Sequence, residues 1–161
     1  MASNEYHFVT TWRLTEATCD EVSDVLGDAP GLARWWPAVY LRVDVVEPGD
    51  ARGVGRRVRL LTKGRLPYRL RWEFVVIESR APHGFTLVAS GDFVGRGIWT
   101  FVQADRDVVA TYDWKIAAQK GLLRRLSFLL KPVFSWNHRW AMARGYESLT
   151  RELARSKGRA N

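Results

Sequence analysis

From Val39 to about Ala118 the chain alternates apolar and polar residues in one strand-like segment after another, and this pattern most constrains what it can fold into. The clearest segment sets Tyr68, Leu70, Trp72 and Phe74 against Arg69, Arg71 and Glu73. A period of two places successive side chains on opposite faces of a sheet. The charged face can meet water, but the aromatic face needs a cover. Val39, Leu41, Val43 and Val45 read the same way, as do Val58, Leu60 and Thr62, then Phe85, Leu87 and Ala89. Trp99 and Phe101 follow, and Tyr112, Trp114 and Ile116 close the series. Links such as residues 63–67 and 93–97 are too short for parallel crossovers, so the sheet is antiparallel.

Before this series, Tyr6, Phe8, Thr10, Trp12 and Leu14 alternate as a further strand. Thr18 with Glu21 forms a capping-box pattern, Val22, Val25 and Leu26 give a short apolar face, and Gly27 stops the helix. Pro30 opens a second short helix carrying Leu32, Trp35 and Trp36 up to Pro37. Two such helices are too small to shield six or seven strands, so the cover is expected from the C-terminal segment. Pro132 is expected to divide it. Before the proline, Leu122, Leu123, Leu126, Leu129 and Leu130 fall within an arc of about 120°. After it, Phe134, His138, Ala141, Met142, Gly145, Leu149 and Leu153 share one face, with Arg144, Glu147, Arg151 and Arg155 on the other. The expected class is α+β in a single domain, residues 1–161, with an ordered core of about 5–156.

The formal charge of +8 and a pI near 10.1 raise nucleic acid or an anionic surface as partners. The excess is localised: from Lys120 onward there are ten basic residues against Glu147 and Glu152, while the preceding residues balance. No RNA-recognition pattern or recognition helix accompanies it, and nucleic acid is not expected. Cys19 is the one cysteine and no histidines are paired at ligand spacing, so neither a disulfide, a metal nor a cofactor is expected. There is no Gly-x-Ser-x-Gly elbow, and the glycines of 49–55 and 91–97 precede no helix, so they shape turns rather than cradle phosphate. Without a signal-like or membrane-length apolar run, the expected location is cytoplasmic.

Several stretches together carry a family resemblance: Trp35-Trp36-Pro37, Gly91-Asp92-Phe93-Val94-Gly95, the Trp99 strand, Tyr112-Asp113-Trp114, and Phe134-Ser135-Trp136-Asn137-His138 with Met142 and Gly145. In their order along the chain they resemble the helix-grip fold of the START-related SRPBCC superfamily, in its polyketide cyclase/dehydrase or lipid-transport-like branch. The resemblance implies a curved sheet wrapped around the long helix and an elongated apolar cavity for lipids, sterols, polyketides or other hydrophobic molecules. It does not select a reaction, because the fold hosts carriers, cyclases, hydrolases and stress proteins.

The expected cavity wall is Tyr68, Leu70, Trp72, Phe74, Phe85, Leu87, Trp99, Phe101, Tyr112 and Trp114, faced by Trp35, Phe134, His138, Ala141, Met142 and Gly145. A glycine inside a helix costs roughly 1 kcal/mol against alanine, so Gly145 implies open space beside it or a close contact; open space is the expectation. His138 lies on the apolar stripe, where a neutral imidazole could bond a ligand or act as acid or base; the alternative is a bond to a strand carbonyl or tyrosine hydroxyl. Asn137 lies at the edge of the same face and could reach the sheet. Strand parity turns Arg59, Arg69 and Arg71 outward, while Arg56 shares the parity of Val58 and Leu60 and could reach the cavity rim.

The leading reading is a carrier or sequestering protein for a hydrophobic small molecule. The alternative is a polyketide cyclase/aromatase or dehydratase, since the resemblance implies an arginine with hydroxyl or imidazole groups in the pocket. His138, Arg56 and Tyr112 are the catalytic candidates in that case. A second pattern stands apart from the cavity. Arg124, Phe128, Pro132, Trp136, Trp140 and Arg144 recur every four residues, a ridge suited to an anionic membrane surface unless the short helices bury its tryptophans.

Overall fold

The computed structural model describes residues 5–66, 68–119 and 121–159, with the side chains of 122–130 and of Arg159 outside the description. Seven strands form one antiparallel sheet: β1 (Glu5–Leu14), β2 (Tyr40–Glu47), β3 (Arg57–Lys63), β4 (Arg69–Ser79), β5 (Gly84–Gly91), β6 (Phe93–Ala104) and β7 (Asp107–Ala118). Their order is β1-β7-β6-β5-β4-β3-β2, so β2 to β7 run as a meander and β1 returns to pair with β7. The chain crosses from β1 to the far edge through α1 (Cys19–Gly27), a 3-10 turn (Ala29–Gly31) and α2 (Leu32–Trp35). It ends in α3 (Gly121–Arg159). This is the helix-grip α+β architecture, with a curved sheet and a long C-terminal helix. Bulges in β2 and β4 contribute to the bend.

The alternation of β4 holds as read: Leu70, Trp72, Phe74 and Val76 are buried, and Arg69 and Arg71 are exposed. In β2 it fails. Two register shifts, between Tyr40 and Arg42 and between Val45 and Glu47, break the period. Val43 packs on the core while Val45 and Val46 stay exposed.

Two expectations about the cover are corrected. Pro132 does not divide α3, which runs unbroken for 39 residues. The proline is exposed, so the acceptor left without its helical N–H can turn to water. The cover is also shared, because Leu26, Ala29, Leu32, Trp35 and Trp36 of the short helices are all buried. The Thr18 hydroxyl caps α1 by accepting from the Glu21 N–H at 3.2 Å, worth about 1 kcal/mol. Trp136 is exposed, not buried under these helices. The leucine stripe of 122–130 and the ridge positions Arg124 and Phe128 lie outside the described side chains. Among the described residues no helix is long and apolar enough to cross a membrane.

Two contacts set the height of α3 above the sheet. The Asn137 Oδ1 accepts the backbone N–H groups of Arg65 at 2.6 Å and Leu66 at 3.1 Å, holding the β3–β4 loop to the helix. At Gly145, a Cβ would run into the six-membered ring of the Trp36 indole. The glycine therefore answers a close contact with Trp36, not open space, which corrects the expectation for this position. Trp36 in turn meets Trp12 edge-on at 5.9 Å, so one indole is wedged between helix and sheet. Replacing Gly145 with Leu should destabilise the fold by about 1–3 kcal/mol through overpacking. Urea unfolding would show this as a lowered midpoint; an unchanged midpoint would contradict the wedge.

Candidate functional site

Between the two pins lies a cavity of about 480 Å³. Its floor is the inner face of the sheet, where aromatic rings run in sequence. Trp99 stacks on Tyr112 at 4.3 Å, Tyr112 on Trp114 at 5.5 Å, and Trp114 meets Trp72 at 5.6 Å. Gly97 permits this, because a Cβ there would strike the Tyr112 ring and hydroxyl. Trp72 satisfies its own indole N–H by donating to the Thr62 hydroxyl at 2.9 Å. The ceiling is Phe134, His138, Ala141 and Met142 of α3, and Leu26, Leu32 and Trp36 close one side. Leu70 and Val76, both in the wall, are separated along β4 by about 20 Å. The cavity is therefore elongated along the strands.

Register defines its two ends. Tyr6, Lys63, Gly64, Tyr68, Phe93, Phe134 and Asn137 line one; Asp24, Gly27, Asp28, Arg52, Arg56, Ser79 and Phe85 line the other. Arg56 donates from Nη1 to the Gly27 carbonyl at 2.9 Å and from Nε to the Pro48 carbonyl at 3.1 Å. These bonds fix it at the rim, where strand parity had placed it.

The interior is uncharged. Burial pushes the Tyr40 and Tyr112 hydroxyls above their ordinary value, and the nearby Tyr40 adds to the shift in Tyr112. Burial, with Tyr6 nearby, raises Tyr68 to about 12. All three keep their protons at neutral pH and remain donors. Burial, then the Arg139 charge, lowers His138 to about 4, so its imidazole is neutral. That ring stacks on Phe8 at 4.1 Å, and its Nε2 is buried without a partner among the described residues. The alternative that it bonds a strand carbonyl or tyrosine through Nε2 does not hold. The Trp36 indole nitrogen is likewise unpartnered. An unmet buried polar group costs roughly 1–3 kcal/mol, a cost that a bound molecule offering oxygen atoms would remove.

Of the expected wall, Tyr68, Leu70, Trp72, Phe74, Phe85, Leu87, Trp99, Tyr112, Trp114, Phe134, His138, Ala141 and Met142 all line the cavity. Three do not. Trp35 is buried behind Trp36, stacked on it at 5.6 Å. Neighbouring residues on one helical turn point about 100° apart, and a single-turn helix carries no periodicity to say which faces inward. Phe101 shares the parity of Trp99 but is fully buried where α1 packs over β6. Gly145 is filled by Trp36. Sequence reading missed Tyr6, Phe8, Tyr40 and the α1 residues Ser23 and Leu26. The parity of β1 pointed to Tyr6 and Phe8; the bulge beside Tyr40 hid the rest of that edge. Among the described residues no group of His, Cys, Asp and Glu gathers as a metal site would require.

A family described as polyketide cyclase / dehydrase and lipid transport matches residues 7–156. No curated protein matches the chain. Among solved structures, TTHA0849 from Thermus thermophilus superposes with a TM-score of 0.78 at 15% identity, covering 94% of this chain and 99% of that one. The Zhui aromatase/cyclase from Streptomyces sp. R1128 gives 0.68 at 18% identity, covering 94% of each. One half of the di-domain ARO/CYC BexL from the BE-7585A biosynthetic pathway gives 0.66 at 17% identity, covering 91% of this chain and 50% of that one. Identities this low speak to the shared fold alone.

His138 also makes stability depend on pH. The folded protein lowers its pKa from 6.5 to about 4, so the unfolded chain binds the proton more readily. The stabilisation is complete above pH ~6.5 and is lost as pH falls toward ~4, by up to about 3 kcal/mol. Urea unfolding at both ends of this range should show His138→Gln losing less stability than the wild type; equal losses would contradict a buried neutral imidazole.

Proposed function

Since the chain belongs to the polyketide cyclase / dehydrase and lipid transport family, we propose that it binds one hydrophobic, oxygen-bearing small molecule in the cavity between sheet and α3, as a carrier or sequestering protein. The supporting observation is the interior itself: about 480 Å³ of aromatic-lined space, within the usual range for small-molecule pockets. Between its charged ends the polar groups are neutral, among them the Tyr40 and Tyr112 hydroxyls, the Trp36 N–H and the His138 Nε2. Aromatic rings on the floor suit a flat or unsaturated ligand through offset stacking. These groups suit carbonyl or hydroxyl oxygens along it. A saturated hydrocarbon would leave those groups unmet.

A second reading, a cyclase or dehydratase acting in the same cavity, draws on His138. A neutral imidazole with an unpartnered nitrogen could take a proton from an acidic carbon, with Tyr112 holding the adjacent carbonyl. It has less support, because Arg56 is committed to backbone carbonyls at the far rim and no carboxylate orients the imidazole among the described residues.

Filling the cavity tests both readings together, and one variant then separates them. Ala141→Phe puts a ring into the space under the helix; a fluorescent lipophilic probe should bind the wild type and bind this variant at least about tenfold more weakly, with the unfolding midpoint retained. Equal uptake would overturn the cavity reading. His138→Phe should keep probe uptake in a carrier and abolish turnover in a cyclase.

A further inference from the structure

We propose that the Asn137 end of the cavity docks on the surface of an anionic lipid bilayer. Val133 and Trp136 are 39% and 45% exposed, and they stand three residues apart on one side of α3. They share its turns with Phe134 and Asn137, which line the cavity, so the exposed apolar pair borders that end directly.

The charges lining this end differ from those at the far end. Lys63 lines the mouth, Arg65 sits in the loop held by Asn137, and Lys131 lies 5.4 Å over the Tyr6 ring. None of the three is in an ion pair among the described residues. At the far end Arg52 and Arg56 share the lining with Asp24 and Asp28, and Arg13, Arg57, Arg80 and Lys157 pair with Asp107, Glu73, Glu78 and Glu21. The lining of the Asn137 end thus holds positive charge with no acidic side chain beside it, next to the exposed indole. Arg124 and Arg125 fall within two turns of Lys131 in the sequence of α3, and residues 119–134 hold no acidic residue.

An indole and a branched aliphatic chain flanked by lysine and arginine match the headgroup layer of a bilayer, with rings at the interface and cations at the phosphates. A soluble polyanion would engage the cations and leave Val133 and Trp136 in water. Docking in this pose would turn the mouth toward the membrane. It does not depend on what the cavity holds, because vesicle binding is read separately from probe uptake.

The test is co-sedimentation of the full chain with phosphatidylcholine vesicles, with and without about 30% phosphatidylserine. The expected result is binding to the anionic vesicles at low salt, weakened by high salt. Trp136→Glu should reduce it at least about tenfold, and Arg65→Glu with Lys131→Glu at least about 20-fold, at roughly five-fold per basic residue near an anionic surface. Probe uptake and the unfolding midpoint should be retained in both variants. Absence of binding to anionic vesicles, or binding that these substitutions leave unchanged, would overturn the proposal. So would retention on heparin, without vesicle binding, that Trp136→Glu does not alter.

Discussion

The wedge of Trp36 between Gly145 and Trp12 is the contact on which the rest of the structure depends. A helix laid on an aromatic sheet would ordinarily close onto it until side chains interlock. Here α3 rests on an indole at residue 145 and is tied at residue 137 to the β3–β4 loop. Eight residues separate these supports, about 12 Å of helix. The side chains turned to the sheet in that span are His138, Ala141 and Met142; His138 stacks on Phe8 at the β1 edge, and Ala141 is too short to fill the space over the other strands. An open interior follows from where the supports stand, more than from any single small residue.

The chemistry of the interior follows from the same arrangement. Closing the sheet with α3, α1 and α2 removes water from tyrosines and a histidine, which raises the former and lowers the latter until all are neutral at physiological pH. Charged groups are kept to the two ends, where Arg56 is held by carbonyls and Lys63 stands in the mouth. A molecule held there would meet rings and single hydrogen-bonding groups along its length and ionic groups only at its tips. That combination fits selective retention of an oxygenated hydrophobe more readily than rapid proton transfer.

Much of this was legible from strand parity. Period two placed Leu70, Trp72, Phe74, Trp99, Tyr112 and Trp114 on one face, and it set Arg56 apart from Arg59, Arg69 and Arg71. What parity could not show is where a face stops being cavity and becomes packing. Trp99 and Phe101 share a strand and a face, yet only the first lines the cavity, while the second is fully buried in packing. Trp35 and Trp36 differ by one position in a single turn, and only the tertiary docking of α2 decides which indole enters. Gly145 was recognisable as a site of close approach or of open space, but the partner that decides between them lies more than a hundred residues earlier. The bulges of β2 hid Tyr40 because alternation carries no sign of an extra residue.

The measurement that bears most directly on this account is native mass spectrometry of the freshly purified protein, compared with the same sample under denaturing conditions. An interior held open and lined by unmet polar groups predicts a non-covalent adduct of small-molecule mass in the native spectrum, absent after denaturation and extractable into organic solvent. A single apo mass under both conditions, together with no uptake of added lipophilic compounds, would contradict it.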